Sequence, residues 1–401
     1  MGTINRCAAA AVLLAAVLAG CTSDQALRHY GTGYLAFDKG NLDAAMAEFE
    51  KAIQLDDRLA VAHAGLGDVL RQQGNLEKAI APYKLAIALM PQEFSYYYRL
   101  GRVFQALERD KDAAQVYEQT VDLNPDFAAA WINLGVVYFR LGDLVKAQAR
   151  CERAVELAPA HGYAWSNLGA VYDALGDSYR AITAYQKSIE IDSRQGPVHL
   201  NLGTAYLRQG RIDKAIEEFK LAAGLDPNAP IIRKRLAYAL SKDKKYGAAI
   251  EQLQAALAMD PGDWEGRNSL AAIYMIYYLR HPDIDRLRQQ ALEEWHASLQ
   301  ANPEQPQVRQ QVAQWSQPLP ASAPGAPGKS ADEVRKEVDS LLKTAPKPKG
   351  PEKTPAAETP KVPDKAKTPA KPPAPPPPAE KPAGKPAETS SAGVTERTPP
   401  S

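Results

Sequence analysis

Three cysteines and six histidines are the side chains best equipped for chemistry in this 401-residue chain. A thiolate can attack an electrophile or accept an acyl group, and clustered thiolates and imidazoles can hold a metal. Cys7, Cys21 and Cys151 show no metal-ligand or redox spacing, and His29, His63, His161, His199, His281 and His296 are scattered. None lies in an HExxH or HxxxH pattern. There is no GxSxG nucleophile elbow, no GxxxxGK[ST] phosphate loop and no GxGxxG following a strand. The sequence therefore argues against an enzyme and offers no cofactor site. One polar series does recur: Asn133, Asn167 and Asn201, each followed by Leu-Gly and spaced by 34 residues. A side-chain amide carries both donor and acceptor, so it can pair with a peptide bond without reading the side chain beyond it.

The amides belong to a longer pattern. "AWINLGVVY" begins at Ala130 and "AWSNLGAVY" begins at Ala164, 34 residues on. Gly33, Gly67, Gly101, Gly135, Gly169 and Gly203 keep the same interval. A second small series runs Ala45, Ala79, Ala113, Ala147, Ala181, Ala215 and Ala249. Bulky residues recur at Phe49, Tyr83, Tyr117, Tyr185 and Phe219, with Cys151 standing in once. Pro91, Pro125, Pro159, Pro227 and Pro261 mark unit ends. Within a unit, two apolar stretches with i, i+3, i+4 spacing flank a turn such as Leu141-Gly142-Asp143. Small residues allow the two helices to approach, and the bulky residues are expected to fill the seam with the next unit.

This register resembles the tetratricopeptide repeat. The resemblance implies an all-α fold, a right-handed α-solenoid of about eight helix-turn-helix units over residues 26–303. Units start near Ala26, Ala60, Phe94, Ala128, Gly162, Gly196, Pro230 and Trp264. The eighth departs from the pattern, and sliding it by eight residues restores the match at Ala291, Trp295 and Pro303, so an insertion near "YYLRHPDI" is expected. Val308, Val312 and Trp315, among four glutamines, then suit a capping helix over residues 304–317.

In this family the first helix of each unit lines a concave groove. The resemblance places Asn133, Asn167, Asn201, Tyr98, Arg99, Arg102, Phe139, Arg140, Arg235 and Tyr238 there, with Arg208, Lys234 and Lys242 further along. In some relatives an asparagine ladder at this position holds an extended peptide by its main chain; the alternative is that asparagine is simply common before Leu-Gly in this repeat. The two-carboxylate clamp of chaperone-binding relatives is not reproduced, because Tyr98 and Arg102 occupy its Lys and Asn places. The expected ligand is a protein or an extended peptide.

The N-terminus reads as a secretory signal over residues 1–20. Arg6 precedes an apolar run from Ala8 to Ala19, whose twelve residues span roughly 18 Å as a helix against a bilayer core of about 30 Å. Leu18-Ala19-Gly20-Cys21 resembles a bacterial lipobox, which implies acylation of Cys21 and membrane attachment through the lipid. Residues 21–25 form a short linker, so the repeats should sit near the membrane. Thr22, where an aspartate would signal inner-membrane retention, favours the periplasmic face of the outer membrane. That address argues against nucleic acid as a partner.

Beyond the repeats, residues 318–330 are a Pro/Ala/Ser/Gly linker. "ADEVRKEVDSLLKT" (331–344) reads as a short amphipathic helix with Val334, Val338, Leu341 and Leu342 on one side, either docked or transient. Residues 345–401 cannot bury a core and are expected to be disordered, with polyproline II character. From Thr344 onward ten Lys/Arg face six Asp/Glu, whereas residues 22–343 carry 37 basic and 41 acidic side chains. The tail is either a spacer or a basic arm reaching anionic cell-wall polymer. The combined expectation is a membrane-anchored scaffold that assists assembly of an envelope complex, as a pilotin-like secretin or type IV pilus factor or a cell-wall enzyme adaptor. The alternative is a tether whose tail binds peptidoglycan.

Overall fold

The structure, a computed structural model, describes residues 24–316 apart from 281 and 283. The signal segment, Cys21, the 318–330 linker, the 331–344 segment and the 345–401 tail lie outside the described residues. Among the described residues every regular element is helical. The helices come in antiparallel pairs that follow one another along the chain: α1 (24–38) with α2 (Leu42–Leu55), α3 (Ala60–Gln72) with α4 (Leu76–Leu89), and α5 (Phe94–Ala106) with α6 (Asp110–Leu123). Next come α7 (Ala128–Leu141) with α8 (Leu144–Leu157), α9 (Gly162–Ala174) with α10 (Ser178–Ile191), and α11 (Gly196–Arg208) with α12 (Ile212–Leu225). The series ends with α13 (Pro230–Lys242) and α14 (Tyr246–Met259), α15 (Trp264–Arg280) and α16 (Asp285–Ala301), and a single α17 (Pro306–Trp315). One such pair cannot bury its apolar face alone, so the pairs stack into a solenoid.

In five repeats the first helix ends in a left-handed glycine stop. In α7 the chain turns left-handed at Gly142 (φ 79°); the Gly142 and Asp143 amides donate to Phe139 and Tyr138 at 3.1 and 3.0 Å. Asp143 then caps α8, its carboxylate accepting from the Lys146 amide at 3.1 Å. A left-handed stop followed by an Asp cap explains why Leu-Gly-Asp recurs. Glu108 and Lys244 occupy the same register and hold positive φ without being glycine.

The packing glycines correct one expectation. The bulky residue of the second helix sits first in the crossing of its own unit. A Cβ on Gly33, Gly67, Gly169 or Gly203 would lie 2.7–2.9 Å from the ring of Phe49, Tyr83, Tyr185 or Phe219. Phe49 also reaches Gly65 of the following unit, so the ring serves both seams. At Gly135 the neighbour is the Cys151 sulfur, buried in the main core cluster.

A second register was not read from the sequence. Tyr97, Trp131, Trp165, Arg233 and Arg267, at the same place in successive units, each donate a side-chain hydrogen bond to the carbonyl six residues earlier. His63 and His199 make the same contact at 2.8 and 3.1 Å. The bond ties the start of each unit to the turn that precedes it. Residue types as unlike as His, Tyr, Trp and Arg conceal this, because only a donor of suitable reach is required. Arg309 repeats the bond to Pro303 at 2.6 Å, eight residues later than the 34-residue spacing demands. The insertion is spread over the pair: α15 and α16 each have 17 residues where first and second helices elsewhere mostly have 13 and 14. α17 closes the end of the stack, with Val308 and Trp315 buried.

Candidate partner-binding groove

First helices of neighbouring units touch directly (α3 with α5, α7 with α9, α9 with α11, α11 with α13), and among the described residues no pair of second helices makes a comparable contact. Shorter spacing between first helices puts them on the inside of the stack. Tyr98, Arg99, Arg102, Phe139, Arg140, Arg235 and Tyr238 are all half-buried, as side chains lining a groove should be.

The three asparagines do not behave alike. Asn133 is 7% exposed, and its amide nitrogen lies 3.3 and 3.4 Å from the hydroxyls of Tyr117 and Tyr98. Its donor is directed at tyrosines of the preceding unit rather than at the groove. Tyr98 itself packs edge-on against Phe127 at 4.9 Å between ring centroids. Asn167 and Asn201 are half-buried, and neither amide has a hydrogen-bond partner among the described residues. The preceding unit differs in part: Ile132 and Cys151 stand in the registers of Tyr98 and Tyr117 before Asn167, and Ser166 and Tyr185 before Asn201, where the Tyr185 hydroxyl is not bonded to the amide.

The basic character is largely compensated within the groove. Arg99 pairs with Asp68 at 2.5 Å, Arg140 with Asp110 at 3.1 Å, and Lys234 with Asp263 at 2.9 Å. Arg208 pairs with Asp173, whose side chain is nearly inaccessible. Burial raises the Asp173 carboxyl above its ordinary value, and Arg208 opposes that shift. The bonds of Arg99, Arg140 and Arg208 each join two different units, so those pairs brace the stack as well as lining it. Asp110 and Asp263 were missed in the sequence reading because they lie just outside the first helices on which it was based.

The structure brings Arg235 and Tyr238 together with Arg208, Lys242, Thr204 and Leu207 around a concavity of about 370 Å³ between α11 and α13. Lys242 lies over the Tyr238 ring, 5.4 Å from its centroid. Thr204 is three residues beyond Asn201 on α11, so the concavity continues the line of the two unpartnered amides. Thr204 was legible in principle, since it occupies the inward ninth place of its unit.

Among the described residues no group of three His, Cys, Asp or Glu is placed to hold a metal ion, and no helix is long and apolar enough to cross a membrane. Cys151 is buried, and burial pushes its thiol up to about 12, so it is not poised as a nucleophile.

Comparison with known proteins places this geometry. Residues 57–273 match the family described as Cilia and flagella-associated protein 70 C-terminal domain, and residues 29–58 match the tetratricopeptide repeat. No curated protein sequence matches the chain. Among solved structures, that of MamA protein is 28% identical with a TM-score of 0.40, covering 42% of this chain and 92% of that one. YrrB, described as a TPR protein with an unusual peptide-binding site, is 24% identical with a TM-score of 0.42, covering 49% of this chain and 97% of that one. PilF of Pseudomonas aeruginosa is 20% identical with a TM-score of 0.46, covering 52% of this chain and 94% of that one. The first family match takes in more than half of the chain, and its repeat architecture is the one described above: the chain belongs to this family of tetratricopeptide-repeat proteins, scaffolds for protein–protein interaction.

Proposed function

We propose that this chain is a lipid-anchored scaffold of the bacterial cell envelope that holds an extended protein segment along its groove. The observation that carries this reading is the pair of unpartnered amides at Asn167 and Asn201, in line with the concavity at Arg208, Arg235, Tyr238 and Lys242. Two amides one repeat apart match the donors and acceptors of an extended main chain. The concavity beyond them suits an acidic side chain or a terminal carboxylate, with Tyr238 as an aromatic anchor. The lipobox-like Leu18-Ala19-Gly20-Cys21 supports acylation at Cys21 and attachment to the outer membrane's periplasmic face. In that setting the scaffold assists assembly of an envelope complex, as a pilotin-like secretin or pilus factor or as an adaptor for cell-wall enzymes.

A second reading rests on the excess of lysine after Thr344, which favours a tether to anionic peptidoglycan. One experiment separates the two. Crosslinked partners are recovered from cells carrying the wild-type chain, the Asn167→Ala/Asn201→Ala variant, and a chain stopped at Thr344. Loss of a specific protein only from the double variant supports the groove. Loss only from the shortened chain, with peptidoglycan no longer recovered, overturns it in favour of the tether. Incorporation of labelled palmitate into wild type but not into Cys21→Ser tests the anchor separately.

A further inference from the structure

We infer that an apolar hollow on the second-helix side, between α14, α15 and α16, is the docking site for this chain's own segment 331–344. The hollow measures about 540 Å³ and is lined by Gly247, Ile250, Glu251, Tyr277, Ile284 and Leu287. It lies apart from the groove and does not depend on what the groove binds.

The hollow opens where the repeat carries its eight-residue insertion. In the two preceding units the residues equivalent to Ile250, Ile182 and Ile216, are 6% and 5% exposed. Ile250 is half-buried, as Ile80 is in the second unit, and the unit that follows Ile250 is the one with lengthened helices. Gly247 widens the gap, standing where Val145, Tyr179 and Asp213 carry side chains. Of the six lining residues only Glu251 is charged.

The chain itself leads to this place. The Trp315 carbonyl, one residue before the last described position, accepts from the Arg288 guanidinium at 2.7 Å. The Trp315 ring stands edge-on to Tyr278 at 6.4 Å. Arg288 and Tyr278 are the sequence neighbours of Leu287 and Tyr277 in the hollow. The chain therefore leaves the solenoid on α15 and α16, two of the three helices that border the hollow. Fourteen residues, 317–330, then precede the segment. As a Pro-rich stretch they reach about 40 Å, several times a helix diameter of roughly 10 Å.

The segment fits what the hollow lacks. Val334, Val338, Leu341 and Leu342 fall at i, i+4, i+7 and i+8, which is one face of a helix. Arg335 flanks that stripe and suits Glu251. A helix of fourteen residues is marginal alone in water and gains its stability by laying its apolar face into a groove. Tethering supplies an effective concentration on the order of millimolar, so a weak contact suffices.

The test uses the full-length chain with a benzoylphenylalanine photo-crosslinker in place of Glu251, an exposed position. The expected product has monomer mass, with the crosslink mapped to residues 331–344. Leu341→Asp/Leu342→Asp should cut its yield at least tenfold and speed amide exchange several-fold in α14–α16 alone. Both substitutions lie outside the solenoid, so loss of the fold does not confound them. A crosslink to any other segment, a product of dimer mass, or exchange in α14–α16 unchanged by the double substitution overturns the inference.

Discussion

Replacing Lys244 or Glu108 by glycine should stabilise this protein, against the usual direction for a glycine substitution. The two residues hold φ of 62° and 57° at the turn between the helices of their units. Five other units place glycine there, with φ from 72° to 83°. A left-handed conformation costs an L-residue about 1–2 kcal/mol through the clash of its Cβ with the following carbonyl. Glycine removes that cost but loses about 0.4–1 kcal/mol through the freedom it adds to the unfolded chain. The net expectation is about 0.5–1 kcal/mol of stabilisation per site. The sites are four units apart, and distant substitutions add. Stability in a stacked array is local, so the measurement is amide exchange at Arg109 and Lys245. Those amides donate to Phe104 and Leu240 at 2.8 and 2.9 Å across the two turns. Exchange should slow about two- to fivefold in Glu108→Gly and Lys244→Gly and accelerate in Gly142→Ala, measured at Asp143. Faster exchange in the glycine variants would refute the reasoning, since it would mean that the side chains stabilise the turn by more than the backbone strain costs.

Asn133→Ala should destabilise by about 1 kcal/mol through its lost bonds to the hydroxyls of buried Tyr117 and half-buried Tyr98, whereas Asn167→Ala and Asn201→Ala should stay within about 0.5 kcal/mol; urea midpoints of the three variants check this. His199 places Nδ1 2.7 Å from the Glu218 carboxylate, and that bond raises its pKa above the ordinary value. The imidazolium's contribution is therefore fully present below the unfolded value of about 6.5 and is lost as pH rises through the higher folded value. A urea midpoint that falls between pH 6 and 9 in wild type and falls less in His199→Gln agrees with this; a wild-type midpoint that rises contradicts it. In a chain with Cys7 and Cys21 replaced by serine, Cys151 should react with a thiol reagent only on unfolding, because burial holds its thiol at about 12. Rapid labelling of the folded protein would show the thiol to be accessible.

The helix boundaries and the pairing of helices were legible because each unit writes its own local grammar. A small residue marks the crossing, a bulky residue fills it, Gly-Asp stops one helix and starts the next, and Pro ends the pair. All of these act within one 34-residue unit, so one-dimensional spacing records them. The ladder of side chains that bond the preceding turn escaped, because the requirement there is reach and a donor, which His, Tyr, Trp and Arg all meet. The groove was legible as a set of positions and not as a set of states. Asn133, Asn167 and Asn201 are the same residue in the same register, yet one is bonded to Tyr98 and Tyr117 of the unit before and two are open, even where Tyr185 keeps the Tyr117 register. Arg99, Arg140 and Arg208 read as a basic surface, yet each meets an aspartate that lies 30 to 35 residues away in sequence. Periodicity determined by itself that helices form, where they stop and how they pair. Which groove side chains remain available to a partner was decided only by tertiary structure, because that depends on the side chains a neighbouring unit presents, and those vary from unit to unit where the repeat's own pattern does not.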